Sequence, residues 1–242
     1  MKLLALDTST DTLSIAVQHG DAVLAHTSAG GALASSTLIP AIEALMQQAG
    51  LHYAQLDAIA FGLGPGSFTG LRTACAVVQG LAFGANVPVL PVDTLMIVAE
   101  EARFLAQEQG LDSTRVLGAL DARMSEVYVN HYEFSSTPRS IYAGEMLKKP
   151  QNMLLEHLQM PTLLAGNIRP TLDAQLPPEA AAVPYLNALP TATALLRLAP
   201  ALIAAGGLTD AEHALPLYIR DKVAQTTAER MATALSHPVA SA

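Results

Sequence analysis

The first 30 residues alternate between apolar and polar positions in short runs, a pattern typical of β-strands. It predicts strands over 2–7, 12–18 and 22–27, with a tight hairpin at His19-Gly20-Asp21 between the last two. The first strand is rich in leucine and ends at Asp7, so we expect it to be buried and to present a carboxylate at its end.

The spacing of apolar residues then becomes helical. A helix over 36–48 is predicted because apolar side chains recur every three or four positions, and Gly50 can end it. Next come a strand over 56–61 and a helix of small apolar residues over 70–83. A strand over 87–92 follows, and its prolines favour a sheet edge. The last element of this half is a helix that is capped by Asp93 or Thr94 and runs to about Gln109. The first half therefore has the order β-β-β-α-β-α-β-α.

The second half repeats nearly the same order of elements. The pattern predicts strands over 116–121, 126–134, near Ile141, and over 162–165 and 182–186, with helices over 152–158 and 191–204. Ala5-Leu6-Asp7 is matched by Ala119-Leu120-Asp121, and each is followed by a polar turn and an alternating strand. We predict an α/β protein with a duplicated β-β-β-α-β-α unit, divided into lobes 1–110 and 111–242. Chance similarity is the alternative, because the local match is short.

Composition narrows the class of protein. Of the 242 residues 51% are hydrophobic and 14% charged, which is too apolar for a disordered chain. Apolar runs fall short of the roughly 20 residues that a membrane span needs, and Asp7 interrupts any signal-peptide core. The lone cysteine, Cys75, excludes an internal disulfide and suits a reducing compartment. We therefore expect a cytoplasmic protein without a membrane interaction.

The charge pattern argues against direct binding of nucleic acid. The net charge is −8, and the lysines and arginines are scattered along the chain. Affinity for RNA or DNA comes mostly from clustered cations that face phosphates. We expect any contact with RNA to be made through a partner.

Two turns are candidates for binding an anion. The first strand runs from Asp7 into three hydroxyl residues, and a glycine-rich turn over 62–72 leads into a helix, where backbone NH groups and hydroxyls suit a phosphate. The predicted phosphate-facing residues are Asp7, Thr8, Ser9, Thr10, Gly64, Gly66, Ser67, Thr69 and Gly70. Both turns can equally be capped connections, and the second has no P-loop lysine.

Local catalytic patterns do not stand out. The seven histidines form no His-x-x-x-His pair, and Gly-x-Ser-x-Gly is missing. Cys75 lies among alanines in a predicted helix, where a core role is favoured over a nucleophilic one. We predict neither a catalytic residue nor a metal site from these patterns.

The helix over 70–83 is nearly uncharged on every side, so it is either buried within the chain or packed on another subunit. Together with the helix over 36–48 it is a candidate dimer interface, with burial within the chain as the alternative. The predicted interface residues are Leu38, Ile42, Leu45, Met46, Arg72, Ala76, Val77 and Gly80.

Five blocks of sequence resemble the bacterial TsaB (YeaZ) family. They are Leu4-Ala5-Leu6-Asp7-Thr8-Ser9-Thr10, Leu38-Ile39-Pro40-Ala41-Ile42, Gly64-Pro65-Gly66-Ser67-Phe68-Thr69-Gly70-Leu71-Arg72, Leu120-Asp121-Ala122-Arg123 with Glu126-Val127-Tyr128, and Pro216-Leu217-Tyr218-Ile219-Arg220. They occur in the family's order across nearly the whole chain. The glycine-rich block is the most specific of them.

The resemblance implies an actin-like (ASKHA) fold of two ribonuclease-H-like lobes. It implies a role in forming N6-threonylcarbamoyladenosine at position 37 of tRNAs that read codons beginning with A. In that pathway TsaD carries the metal and performs the transfer, and TsaE is an ATPase partner. TsaB-like proteins are taken to be non-catalytic subunits that scaffold TsaD through a helical interface. The resemblance further implies a homodimer when the protein is alone and contact with tRNA only through the complex.

Two departures from the family pattern bear on ligands. Ala34-Ser35-Ser36 stands where many relatives have a basic or histidine-containing run. Ser9 stands where active phosphate-binding loops of this fold have glycine, so neither ATP binding nor an intrinsic cofactor is expected. The competing hypothesis is an ATP-binding phosphotransferase or peptidase-like enzyme of the actin-like superfamily.

Overall fold

The computed structural model describes residues 1–31, 34–111, 114–135, 137–140, 146–148, 163–169, 173–175, 178 and 183–220. The strands are β1 Lys2–Asp7, β2 Thr12–His19, β3 Ala22–Ala29, β4 Ala58–Gly64, β5 Val89–Asp93, β6 Arg115–Arg123, β7 Glu126–Glu133, β8 Arg139–Ser140, β9 Leu147–Lys148, β10 Leu163–Gly166 and β11 Tyr185–Asn187. The α-helices are α1 Ala34–Gln48, α2 Phe68–Ala85, α3 Thr94–Glu108 and, numbered here as α4, Ala192–Ala204.

The two halves of the chain build sheets of the same topology. The first sheet has the order β3-β2-β1-β4-β5, and the second has the order β8-β7-β6-β10-β11, with β9 paired to β7. In the first sheet β1 pairs antiparallel with β2 and β2 with β3, whereas β1 pairs parallel with β4 and β4 with β5. In the second sheet β6 pairs antiparallel with β7 and β7 with β8, whereas β6 pairs parallel with β10 and β10 with β11. Equal strand order and direction confirm the predicted duplication, because chance similarity of three residues would not reproduce them.

The central strand β1 is buried on both faces. Leu4 and Leu6 point into a cluster with residues of α1 and α2, whereas Leu3 and Ala5 pack with α4. This alternation follows from the two-residue period of a strand. The Leu-rich sequence of β1 is therefore that of a strand covered by helices on both sides.

Helices α3 and α4 lie between the two sheets. Leu95, Val98 and Ala102 of α3 pack on the second sheet, and Leu195 and Leu198 of α4 pack on the first. Each half of the chain thus supplies a helix that covers part of the other half's sheet. The division into lobes 1–110 and 111–242 stays a prediction.

Element bounds differ in places from the predictions. The strand predicted over 56–61 begins at Ala58, because Tyr53–Gln55 form a 3-10 turn that Leu56 ends by donating its NH to Tyr53 O. The strand predicted near Ile141 is described only at Arg139–Ser140, and the helix predicted over 152–158 lies outside the described residues. Within the described ranges no helix is both long and apolar enough to cross a bilayer.

An ion cluster ties α3 to α4. Glu100 is 2% exposed and binds Arg103 at 2.7 Å and Arg197 at 3.0 Å. Arg197 also contacts Glu101 at 2.5 Å. A carboxylate buried between two guanidinium groups is costly to remove, because the cations lose the charge that compensates their desolvation.

We predict that Glu100→Ala lowers the free energy of unfolding by about 2–4 kcal/mol, measured by urea denaturation. Glu108→Ala is the matched control, since Glu108 is exposed on the same helix. The control should change the free energy by less than about 0.5 kcal/mol. Equal effects of the two substitutions would contradict the structural role of Glu100.

Candidate functional site

The carboxylate of Asp7 lies at the end of β1 and is only 1% exposed. Its Oδ1 accepts hydrogen bonds from Ser9 N at 2.9 Å and Ser9 Oγ at 2.7 Å. Its Oδ2 is buried without a hydrogen-bond partner among the described residues. Desolvation raises the pKa of Asp7 to about 6, although the two Ser9 hydrogen bonds oppose the shift.

Glycine is required beside this carboxylate. A Cβ at Gly62 would lie 1.9 Å from Asp7 Oδ2, so the carboxyl group occupies the space of the missing side chain. β1 and β4 are parallel neighbours, which brings the two residues together. The glycine at position 62 therefore accommodates Asp7.

The glycine-rich turn packs directly on the turn that follows β1. A Cβ at Gly70 would lie 1.8 Å from Thr8 O, and a Cβ at Gly66 would lie 2.5 Å from Ser9 O. Ser67 N donates to Ser9 O at 2.7 Å, and Thr8 Oγ1 donates to Gly70 O at 2.8 Å. The glycines thus allow close approach of two protein segments.

Other amide donors of the glycine-rich turn are also engaged by the protein. Gly64 N donates to Thr94 Oγ1 at 3.1 Å, and Gly70 N donates to Ser67 Oγ at 3.4 Å, so Ser67 is the N-cap of α2. Together with Ser67 N, these are three of the donors that a phosphate would use. The geometry matches the capped connection, which was the alternative to an anion site.

A cavity of about 260 Å³ lies beside these turns and is lined by residues of both halves of the chain. Four of the predicted phosphate-facing residues line it, namely Ser9, Thr10, Gly66 and Ser67. The others are placed elsewhere: Asp7, Thr8, Gly64 and Gly70 are buried, and Thr69 is exposed on the first turn of α2. The structure therefore gathers about half of the predicted set around the cavity.

The second lobe contributes cavity residues that sequence reasoning missed. Asp121 and Asn167 line the wall, where Asn167 Oδ1 accepts from Asp121 N at 2.9 Å. Arg123 reaches across to Asp11, with Nη2 3.0 Å from Oδ2. The repeated Ala-Leu-Asp pattern was a signal for Asp121, because it places that residue where Asp7 stands in the first lobe. Arg123 stands in the Leu120-Asp121-Ala122-Arg123 block that resembles the family, whereas Asp11 and Asn167 had no local signal.

The C-terminal part of the described chain covers the other side of the glycine-rich turn. Leu217 N donates to Leu63 O at 2.7 Å. Gly64 has φ 125°, and a Cβ there would lie 2.6 Å from Leu217 O, so glycine is required for both conformation and space. Tyr218 packs on Phe68 with ring centroids 5.2 Å apart.

Comparison with known proteins places this architecture in one family. The chain is 33% identical over 230 residues to the tRNA threonylcarbamoyladenosine biosynthesis protein TsaB of Escherichia coli, covering 93% of this chain and 96% of that protein. TsaB of Haemophilus influenzae is 41% identical over 128 residues, 53% of this chain and 52% of that protein. The solved structure of YeaZ from Pseudomonas aeruginosa superposes with a TM-score of 0.78 at 39% identity, over 90% of this chain and 99% of that one.

The chain belongs to the TsaB family. Residues 28–242 also match the family model of TsaD, described as tRNA N6-adenosine threonylcarbamoyltransferase, so the chain belongs to that wider family as well. The predicted resemblance and the predicted actin-like fold of two ribonuclease-H-like lobes are confirmed.

Four of the predicted interface residues of this TsaB family member need correction. Leu38, Ile42, Leu45 and Met46 are all at most 6% exposed and lie in the core under β1 and β2. The apolar face of α1 is covered by its own sheet, so these side chains are not a surface for a partner. Burial within the chain, the alternative reading, accounts for them.

The remaining predicted interface residues lie on α2. Arg72, Ala76 and Gly80 are exposed, and Val77 is half-buried against the core. They share the outer face of α2 with Phe68 and with Phe83, which is 84% exposed. The core-facing positions of the helix are Leu71, Ala74, Cys75, Val78 and Ala82.

The raised pKa of Asp7 predicts that the stability of the folded chain depends on pH. The folded state holds the Asp7 proton more tightly than the unfolded state, so the free energy of unfolding rises as pH falls through about 6 towards 3.8. Asp7→Asn should remove this contribution. In urea denaturation, the free energy of unfolding of Asp7→Asn minus that of the parent should be about 1 kcal/mol higher at pH 7.5 than at pH 5. A difference that is constant with pH would contradict the assignment.

The close packing of the turns predicts a sharp contrast between two glycines of α2. Gly70→Ala places its Cβ 1.8 Å from a backbone oxygen, whereas nothing lies within 4 Å of a Cβ at Gly84. Thermal and urea unfolding should show that Gly70→Ala destabilises by about 2–4 kcal/mol. Gly84→Ala should stabilise by about 0.5–1 kcal/mol through helix propensity. Similar behaviour of both variants would refute the packing argument.

Proposed function

We propose that this TsaB family member is a non-catalytic subunit that binds and activates TsaD in the formation of N6-threonylcarbamoyladenosine in tRNA. The curated relatives are named as tRNA threonylcarbamoyladenosine biosynthesis proteins, and the TsaD family model itself matches most of the chain. The observation that carries the proposal is the outer face of α2.

This face has the chemistry of a helix-packing surface. Phe68, Arg72, Ala76, Gly80 and Phe83 recur every three or four positions and so form one stripe along the helix. No described atom lies within 4 Å of a Cβ at Gly80, so a partner's backbone has room to approach closely. Burying an exposed phenylalanine is worth about 2–3 kcal/mol, which favours covering Phe83.

An ATP-binding phosphotransferase or peptidase-like enzyme is the competing function. The glycine-rich turn supports the subunit assignment instead, because Ser67 N and Gly64 N already donate to protein oxygens. ATP is therefore not part of the proposal. The proposal further includes a cytoplasmic location, a homodimer in the absence of TsaD, association with TsaE, and contact with tRNA only through the complex.

The experiment is reconstitution of tRNA modification. Unmodified tRNA is incubated with TsaD and the remaining factors, with and without this chain, and the modified nucleoside is quantified. We expect the chain to raise product formation by about 10-fold or more. No gain would contradict the proposal, and calorimetric binding of magnesium-ATP to the chain alone, with turnover, would favour the competing enzyme.

A pair of substitutions tests the docking face itself. Ala76→Arg places a long cation in the middle of the α2 stripe, and Ala204→Arg places the same change at an exposed position at the end of α4. We predict that Ala76→Arg weakens binding to TsaD by about 10-fold or more in calorimetry, while Ala204→Arg leaves affinity unchanged. Both positions are exposed, so both variants should fold. Equal affinities would place the interface elsewhere.

A further inference from the structure

Arg72 is the one charged residue of α2. No other residue from Phe68 to Ala85 carries a charge. Within the described part of the chain, no carboxylate pairs with Arg72, whereas ion pairs to Asp or Glu are made by Arg103, Arg115, Arg123, Arg139, Arg197 and Arg220. The outer face of α2 thus holds an exposed cation that has no anionic partner among the residues that the structure describes.

The guanidinium group of Arg72 is held in place by two aromatic side chains. Its central carbon lies 3.9 Å from the Phe68 ring centroid and 5.9 Å from that of Tyr218. Its Nε donates to Tyr218 Oη at 2.9 Å. Tyr218 is itself anchored next to Leu217, whose NH binds Leu63 O. These contacts fix the group through Nε and the ring faces, and no described residue accepts a hydrogen bond from its two terminal nitrogens.

Covering this face with a purely apolar surface would be unfavourable. It would desolvate a guanidinium group without supplying a charge in return. A carboxylate on the partner removes this penalty, because the terminal nitrogens of a guanidinium group match its two oxygens. Ala76 and Gly80, the next two positions along the stripe, carry no polar side chain, and Arg72 is the one charge on the helix, so such a pair would also set the register of the two surfaces.

We propose that Arg72, positioned by Phe68 and Tyr218, is the specificity-determining residue of the α2 face and receives a carboxylate of the docking partner. The inference rests on the proposed function, in which that partner is TsaD. It adds the chemistry of the partner's surface: a single acidic side chain that lies among small or apolar residues.

The test measures affinity of the full chain for TsaD by calorimetry at about 50 and 300 mM salt. Arg72→Met keeps the apolar stem and removes the charge, Arg72→Lys keeps the charge and loses the planar fork, and Tyr218→Phe removes the acceptor of Nε. Arg139→Met is the matched control, because Arg139 is exposed on β8 and pairs with Glu133.

We expect the parent to bind more weakly at high salt. Arg72→Met should bind about 30-fold more weakly at low salt and lose most of the salt dependence, with smaller losses of about 3- to 10-fold for Arg72→Lys and Tyr218→Phe. Arg139→Met should retain parental affinity. Thermal melting confirms folding, and if Arg72→Met fails to fold, the other two variants decide.

Two contrary results have different meanings. Parental affinity and salt dependence in Arg72→Met, or in both Arg72→Lys and Tyr218→Phe, would overturn the role of Arg72 and leave the proposed function intact. A parent chain that does not bind TsaD at either salt concentration would overturn the proposed function, and the inference with it.

Discussion

The contact between the glycine-rich turn and the turn after β1 is the constraint on which the rest of the structure depends. Thr8 O and Ser9 O lie where side chains at positions 70 and 66 would stand, so only glycine permits the approach. That approach sets where α2 begins and how it leaves the sheet. Its inner residues, such as Ala74 and Val78, then complete the core under β1, and its outer face is presented to solvent.

The same contact determines what the turn is available to do. A glycine-rich loop at a helix N-terminus is often a phosphate site, but here Ser67 N and Gly64 N bind protein oxygens, and the C-terminal Leu217 and Tyr218 close the other side. The turn therefore acts as a rigid base for α2. Rigid support favours a docking helix, because little order has to be gained when the partner binds.

Much of the fold follows from local sequence patterns, whereas the site depends on long-range contacts. The periods of the apolar residues gave nearly the same order of elements in both halves of the chain, and that repeated order predicted the duplicated sheets. The apolar spacing of α1 shows that one face is buried but not what covers it, so a partner and the chain's own core were both open for Leu38 and Ile42, and the core is what covers them. Pairs such as Arg72 with Tyr218 join residues 146 positions apart, and no local pattern encodes them.

Hydroxyl-radical footprinting of the chain, alone and with TsaD, reports the solvent exposure of individual side chains and so tests whether TsaD covers the outer face of α2. Phe83 on the outer face of α2 is 84% exposed, and Phe104 on α3 is 37% exposed. We expect strong protection of Phe83 in the complex and unchanged oxidation of Phe104. Equal oxidation of Phe83 with and without bound TsaD would show that the outer face of α2 is not the docking surface.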